Sequence, residues 1–277
     1  MCMFSLPVEH VSNTSIFARC LPDGSQALVY SMTYAAAEEL AMVLPLPVPP
    51  GSAEDAVRFV DLSRYPKFFQ DMKKGFPTRY APAPRSKGLM SLGAPPQQTL
   101  AVHDVGDFEA SFVPTLADFG RLDARFQLPD EVWAQAPTWS DYGFAVFKLK
   151  SSAARVGFFA RLLGRSGPTS PRSVHPMAFV FPSRSPGTLF FPTVHVHDGE
   201  IHEEAVFDHT LYCQFASERG SQQLLGWEVS AEPAWTFMDA HMSEGLVEPA
   251  SRCCRRFLEG TLPNRDTWVT GEGRIQG

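Results

Sequence analysis

Ser15-Ile16-Phe17-Ala18-Arg19-Cys20-Leu21-Pro22-Asp23-Gly24-Ser25-Gln26-Ala27-Leu28-Val29-Tyr30-Ser31-Met32-Thr33 is the stretch on which the fold turns. Ser15–Cys20 and Gln26–Thr33 are rich in β-branched and aromatic residues and flank Pro22-Asp23-Gly24. Proline presets φ for a turn and glycine reaches positive φ without strain. Strands joined by so short a link run antiparallel. Outward from this hairpin the signal repeats, in extended runs at Cys2–Leu6, Ala41–Pro47, Thr99–Val102, Phe108–Val113, Tyr142–Lys150, Met177–Pro182, Thr188–His197, Glu200–Val206 and Thr210–Phe215. Pro45 and Pro47 place Ala41–Pro47 at an edge or bulge, because proline cannot donate to a ladder. Helices are predicted near 54–61, 66–74, 115–125 and 249–258. Ser52-Ala53-Glu54-Asp55 and Thr115-Leu116-Ala117-Asp118 have capping-box spacing, and Pro66 suits a first helical turn. The expected class is α+β, a mainly antiparallel β-sheet with several short helices.

The chain has 277 residues, 44% of them hydrophobic, enough for one large core. A single domain is expected over 1–277, with an internal boundary, if any, in the Pro-, Gly-, Ser- and Arg-rich loop 77–98. A net charge of -6 gives no global attraction to nucleic acid or anionic lipid. No run approaches the ~20 apolar residues that span a bilayer. The opening residues Met1–His10 lack the pattern of a secretion signal. Five irregularly spaced cysteines suit reduced thiols. Together these predict a cytoplasmic protein.

The order Ser15–Thr33, then Ala41-Met42-Val43-Leu44-Pro45-Leu46-Pro47, then helices ending near Phe68, resembles a bacterial family catalogued as domain of unknown function 2330. Val105-Gly106-Asp107-Phe108-Glu109-Ala110, Leu128-Pro129, Tyr142-Gly143-Phe144-Ala145-Val146-Phe147-Lys148-Leu149 and Phe179-Val180-Phe181-Pro182 extend the likeness, which covers about residues 1–195. The resemblance implies architecture and carries no catalytic signature.

Three places carry candidate chemistry. In Thr193-Val194-His195-Val196-His197-Asp198-Gly199-Glu200-Ile201-His202-Glu203-Glu204, Asp198-Gly199 is a strong two-residue hairpin signal. That register sets His195 opposite His202 and puts His195, His197, Glu200, His202 and Glu204 on one face. Imidazoles with a carboxylate suit zinc or another divalent metal, with His209 as a further ligand. The same face also reads as the solvent side of a His-rich hairpin. Cys2, exposed by loss of Met1, has the form of an N-terminal nucleophile, which makes an N-terminal-cysteine amidohydrolase the alternative function. Ser15–Arg19 with Asp23 resembles the strand that supplies an arginine and an aspartate in choloylglycine-hydrolase-like enzymes, which implies catalytic roles for Arg19 and Asp23. Finally, the segment 148–184 is basic and holds no acid, so Arg155, Arg161 and Arg165 are a candidate surface for a protein partner.

Overall fold

The hairpin predicted from Ser15–Thr33 forms and lies at the centre of the molecule. Gly24 adopts φ +83°, and the Asp23 carboxylate accepts hydrogen bonds from the backbone N–H and hydroxyl of Ser25. This is a computed structural model, and it describes residues 3–6, 8–77, 102–106, 108–123, 127–128, 132–133, 137–149, 171–215, 226–270 and 275–276. In chain order the elements are β1 (Met3–Phe4), β2 (His10–Cys20), β3 (Ser25–Ala35), β4 (Leu40–Leu46), β5 (Arg58–Asp61), α1 (Phe68–Lys74), β6 (His103–Val105), β7 (Phe108–Val113) and β8 (Gly143–Leu149). There follow β9 (Arg172–Ser173), β10 (Met177–Pro182), β11 (Thr188–Phe191), β12 (Glu204–Gln214), β13 (Glu228–Val229), β14 (Cys254–Pro263), β15 (Thr267–Thr270) and β16 (Ile275–Gln276).

The large sheet has the order β13-β14-β12-β2-β3-β10-β5, with β9 also on β3. A second sheet, β1-β4-β8-β7-β6, packs on one of its faces, and β11-β15-β16 forms a small third sheet. Strand alternation explains the layering. Ile16, Ala18, Leu28, Tyr30, Leu211 and Cys213 point toward the second sheet and share a core with Met42, Phe112, Phe147 and Phe179. Phe17, Ala27, Val29 and Tyr212 point the other way and meet Phe68, Phe69 and Met72 of α1. Among the named strands described, pairing is antiparallel apart from β2 with β12, which run parallel from Ser15↔Thr210 to Arg19↔Gln214, and an isolated parallel bridge joins Met3 to Val196.

The mainly antiparallel sheet is as expected, but several short helices overstates the helical content. Arg58–Asp61 is a strand on β10 and not part of a helix, and Ser52 Oγ donates to Pro49 O without capping a first turn. The helix expected at 249–258 is replaced by β14, whose ladder with β12 starts at Cys254. Leu116–Arg121 is a 3-10 segment, since the Thr115 hydroxyl bonds the Asp118 carboxylate and makes no backbone cap. Of the helices expected near 54–61, 66–74, 115–125 and 249–258, the second is found among the described residues as the α-helix Phe68–Lys74. Residues 78–98 of the boundary loop lie outside the described residues. No helix among the described residues is long and apolar enough to cross a membrane.

Candidate functional site: a histidine cavity in a sheet fork

Asp198-Gly199 makes a turn, with Gly199 at φ +87° and Asp198 Oδ1 accepting from the Glu200 N–H. The predicted hairpin ladder does not follow, and His195 and His202 are not cross-strand partners. A side chain stands where that ladder would be. The amide of Asn264 accepts the His195 N–H at 2.6 Å and donates to the carbonyls of both His195 and His202, at 2.9 and 3.0 Å. Two residues on, the Asp266 carboxylate accepts the N–H groups of Thr193 (2.9 Å) and Val194 (3.3 Å) and the Trp139 indole N–H (3.3 Å). The Thr193 hydroxyl donates to Arg265 O, 2.8 Å away. Sequence reasoning missed this clamp. Its only signal was an Asn and an Asp beside Pro263, which reads as an ordinary turn.

With residues 193–195 clamped, alternation sets His195 and His197 on one side and buries Val194 and Val196 on the other, as expected. The two imidazoles stack at 4.9 Å with an 18° interplanar angle. Facing them is His209 of β12, which is 2% exposed, and its Nε2 lies 3.0 Å from Nε2 of His195. His209 thus takes the place that the hairpin register had given to His202. His202 itself is exposed and paired with Asp198 (2.8 Å), which raises its pKa, and Glu200 is exposed.

These histidines wall a cavity of about 460 Å³ lined also by Thr14, Tyr30 and Asp208. Burial holds the imidazoles neutral: His195 is lowered to about 3, His197 to about 4 and His209 well below the ordinary value. In a neutral pair one Nε2–H donates to the other ring's lone pair. Whichever ring donates, Nδ1 of His209 is left buried with no partner, and so is Nε2 of His197. Among the described residues, three of the six buried side-chain polar atoms without a partner, those two and Thr14 Oγ1, line this cavity. Such concentration makes this cavity the candidate site. Also among the described residues, no group of three or more His, Cys, Asp or Glu side chains is arranged to hold a metal ion. A depression of about 530 Å³ beside α1 has its charged pair closed on itself. Asp71 pairs with Lys74 (2.5 Å) and accepts from the Tyr65 hydroxyl (3.0 Å).

The other candidates lie elsewhere. Cys2 lies outside the described residues. Arg19 is bound to Glu248 (2.9 Å) and to the carbonyls of Gly245 and Leu246, and Asp23 is held in its hairpin turn, so each has a structural partner of its own. Arg155, Arg161 and Arg165 lie outside the described residues. Of the same basic segment, Lys148 pairs with Glu109 and Arg184 with Asp141 and the Val48 carbonyl.

No protein-family model matches the chain, and no curated protein matches its sequence. Among solved structures it is similar to the baculovirus protein P35. The identity is 14% over 96% of this chain and 98% of that one, with a TM-score of 0.43. A mutated baculovirus P35 after caspase cleavage is 13% identical over 93% and 99%, with a TM-score of 0.45. P35 in a caspase-8/P35 complex is 12% identical over 94% and 96%, with a TM-score of 0.44. Overlap at this level assigns neither an activity nor a partner to this chain.

Proposed function

We propose that this chain is a β-rich binding protein whose buried histidines take up a divalent metal such as zinc, with His195 and His209 as the primary ligands. The observation that carries this reading is the pair of Nε2 atoms 3.0 Å apart at the wall of the cavity. Two imidazole nitrogens on one tetrahedral zinc stand about 3.3 Å apart, so a shift of a few tenths of an ångström turns the hydrogen-bonded pair into a chelating pair. Neutral imidazole is the form that binds metal, and burial favours that form here. His197, stacked on His195 with its Nε2 unpartnered, is the third donor this reading calls on. Cys20, Cys213, Cys253 and Cys254 form no disulfide among the described residues, which goes with a reducing, cytoplasmic setting.

The test is a zinc titration of tag-free, chelator-treated protein, followed calorimetrically. One equivalent should bind with micromolar or tighter affinity. His209→Gln should weaken it at least tenfold, whereas His202→Ala should leave it unchanged. Cobalt(II) should show the same stoichiometry by visible absorption. Absence of binding, or full affinity in a folded His195→Gln, His209→Gln double variant, overturns the reading.

A further inference from the structure

We infer that the cavity is one end of a strand-addition slot, the fork between β2 and β12, which accepts an extended peptide with cationic side chains at every second position. The inference goes beyond the metal reading and does not depend on it.

The fork is a product of the parallel pairing of β2 with β12 in the large sheet. β2 and β12 lie side by side from Ser15↔Thr210 onward. Before that point each keeps its outer neighbour: His10–Ser12 stays on β3 and Glu204–His209 stays on β14. Among the described residues, neither arm has a ladder partner on its inner side. The split has a local cause. β2 shifts register between Ser12 and Ser15, Asn13 adopts φ +55°, and its N–H bonds the Asp208 carboxylate at 2.6 Å. A side-chain oxygen closes the apex in place of a backbone carbonyl.

In an antiparallel ladder alternate residues turn their N–H and C=O away from the partner. Each arm therefore offers backbone donors and acceptors to the space between, which is the requirement for strand addition. The outer edges of the same sheet offer less: β13 has two residues and β5 has four, and such short edges are a common protection against pairing.

Charge selects the occupant. Alternation along β12 sends Glu204, Val206 and Asp208 outward and Phe207 and His209 inward, and Val206 is 73% exposed. Asp198 adds a third carboxylate to the rim, and no lysine or arginine lines the cavity among the described residues. A strand laid in the fork has its outward side chains beside Glu204 and Asp208 and its inward ones over the buried face of Phe207 and His209. Opposite charges on neighbouring strands attract and like charges repel. The favoured guest has lysine or arginine outward and small residues inward.

The probe is an acetylated, amidated six-residue peptide alternating lysine and threonine, titrated in low salt with chelator present so that metal plays no part. It should bind at least tenfold more tightly than the glutamate–threonine analogue. N-methylation at every second residue, which removes backbone donors and keeps the charge, should weaken it at least tenfold. Glu204→Gln and Asp208→Asn should each weaken it several-fold, the latter keeping the oxygen that Asn13 needs. Amide hydrogen exchange should slow at residues 10–13 and 204–209. Equal binding of the N-methylated peptide would reduce the effect to surface electrostatics and overturn the proposal. So would the absence of binding, or protection elsewhere.

Discussion

Residues 193–194 and residues 195–209 hold two buried polar clusters that nearly touch, and they are finished differently. Around Asp266 every group has a partner: three N–H donors converge on the carboxylate, and the Thr193 hydroxyl bonds a carbonyl. Around His209 the accounts are left open, with two ring nitrogens buried and unpartnered. A cluster whose purpose is to hold a loop closes its own hydrogen bonds, because an unmade buried bond costs about 1–3 kcal/mol. A cluster that leaves them open gives up stability that a ligand can restore. The clamp closes on itself, and the histidines are left as the proposed site.

The contrast is tested first at its strongest point. Asp266→Ala strips three donors of their acceptor and should cost about 3 kcal/mol or more in urea unfolding. A loss below 1 kcal/mol would show that the clamp is ornamental. Asn264→Ala removes the amide that stands in for a ladder between His195 and His202, and about 1–2 kcal/mol should go with it. The same variant should speed amide exchange at His195.

The two clusters also respond to pH with opposite signs. The Asp266 carboxyl is pushed up from 3.8 to about 6, since burial outweighs its N–H donors. Its neutral form contributes stability that is complete below pH 3.8 and is lost as pH rises through 6. His195 and His197 lie below their unfolded value of 6.5, so their contribution is complete above 6.5 and is lost as pH falls toward 4 and then 3. Urea midpoints between pH 4 and 7 should show both arms. Asp266→Asn should flatten the arm that descends with rising pH, and a variant that leaves the profile unchanged would refute the assignment. The smallest effect sharpens the comparison most. Replacing both His195 and His209 by leucine should change stability by about 1 kcal/mol or less, or raise it, because apolar isosteres remove the orphaned groups. A loss of 3 kcal/mol would make the histidines part of the structure after all.

What the sequence made legible was local. The Pro22-Asp23-Gly24 turn, the extended run expected at Ala41–Pro47 and found as Leu40–Leu46, and the helix opening after Pro66 all depend on neighbours in the chain, and all three appear. Arg58–Asp61 and Cys254–Pro263 misled because their partners, β10 and β12, are remote, and short apolar runs fit either period until a partner is known. The histidine site was half legible. Alternation correctly put His195 and His197 together, and Asp198-Gly199 does turn. Nothing local could show that Asn264 would occupy the ladder position, or that β12 would bring His209 across to His195.

The parallel contact between β2 and β12 has a consequence in time. Asn13 meets Asp208 across 195 positions of chain. At a synthesis rate of 5–20 residues per second, the interval between making the two is roughly 10–40 s. The hairpin of β2 and β3 is local and closes in microseconds. Throughout that interval β2 presents a bare edge eleven residues long. The molecule is therefore most vulnerable before it is finished. Its characteristic error is a foreign strand, or the β12 of another copy, arriving at that edge first.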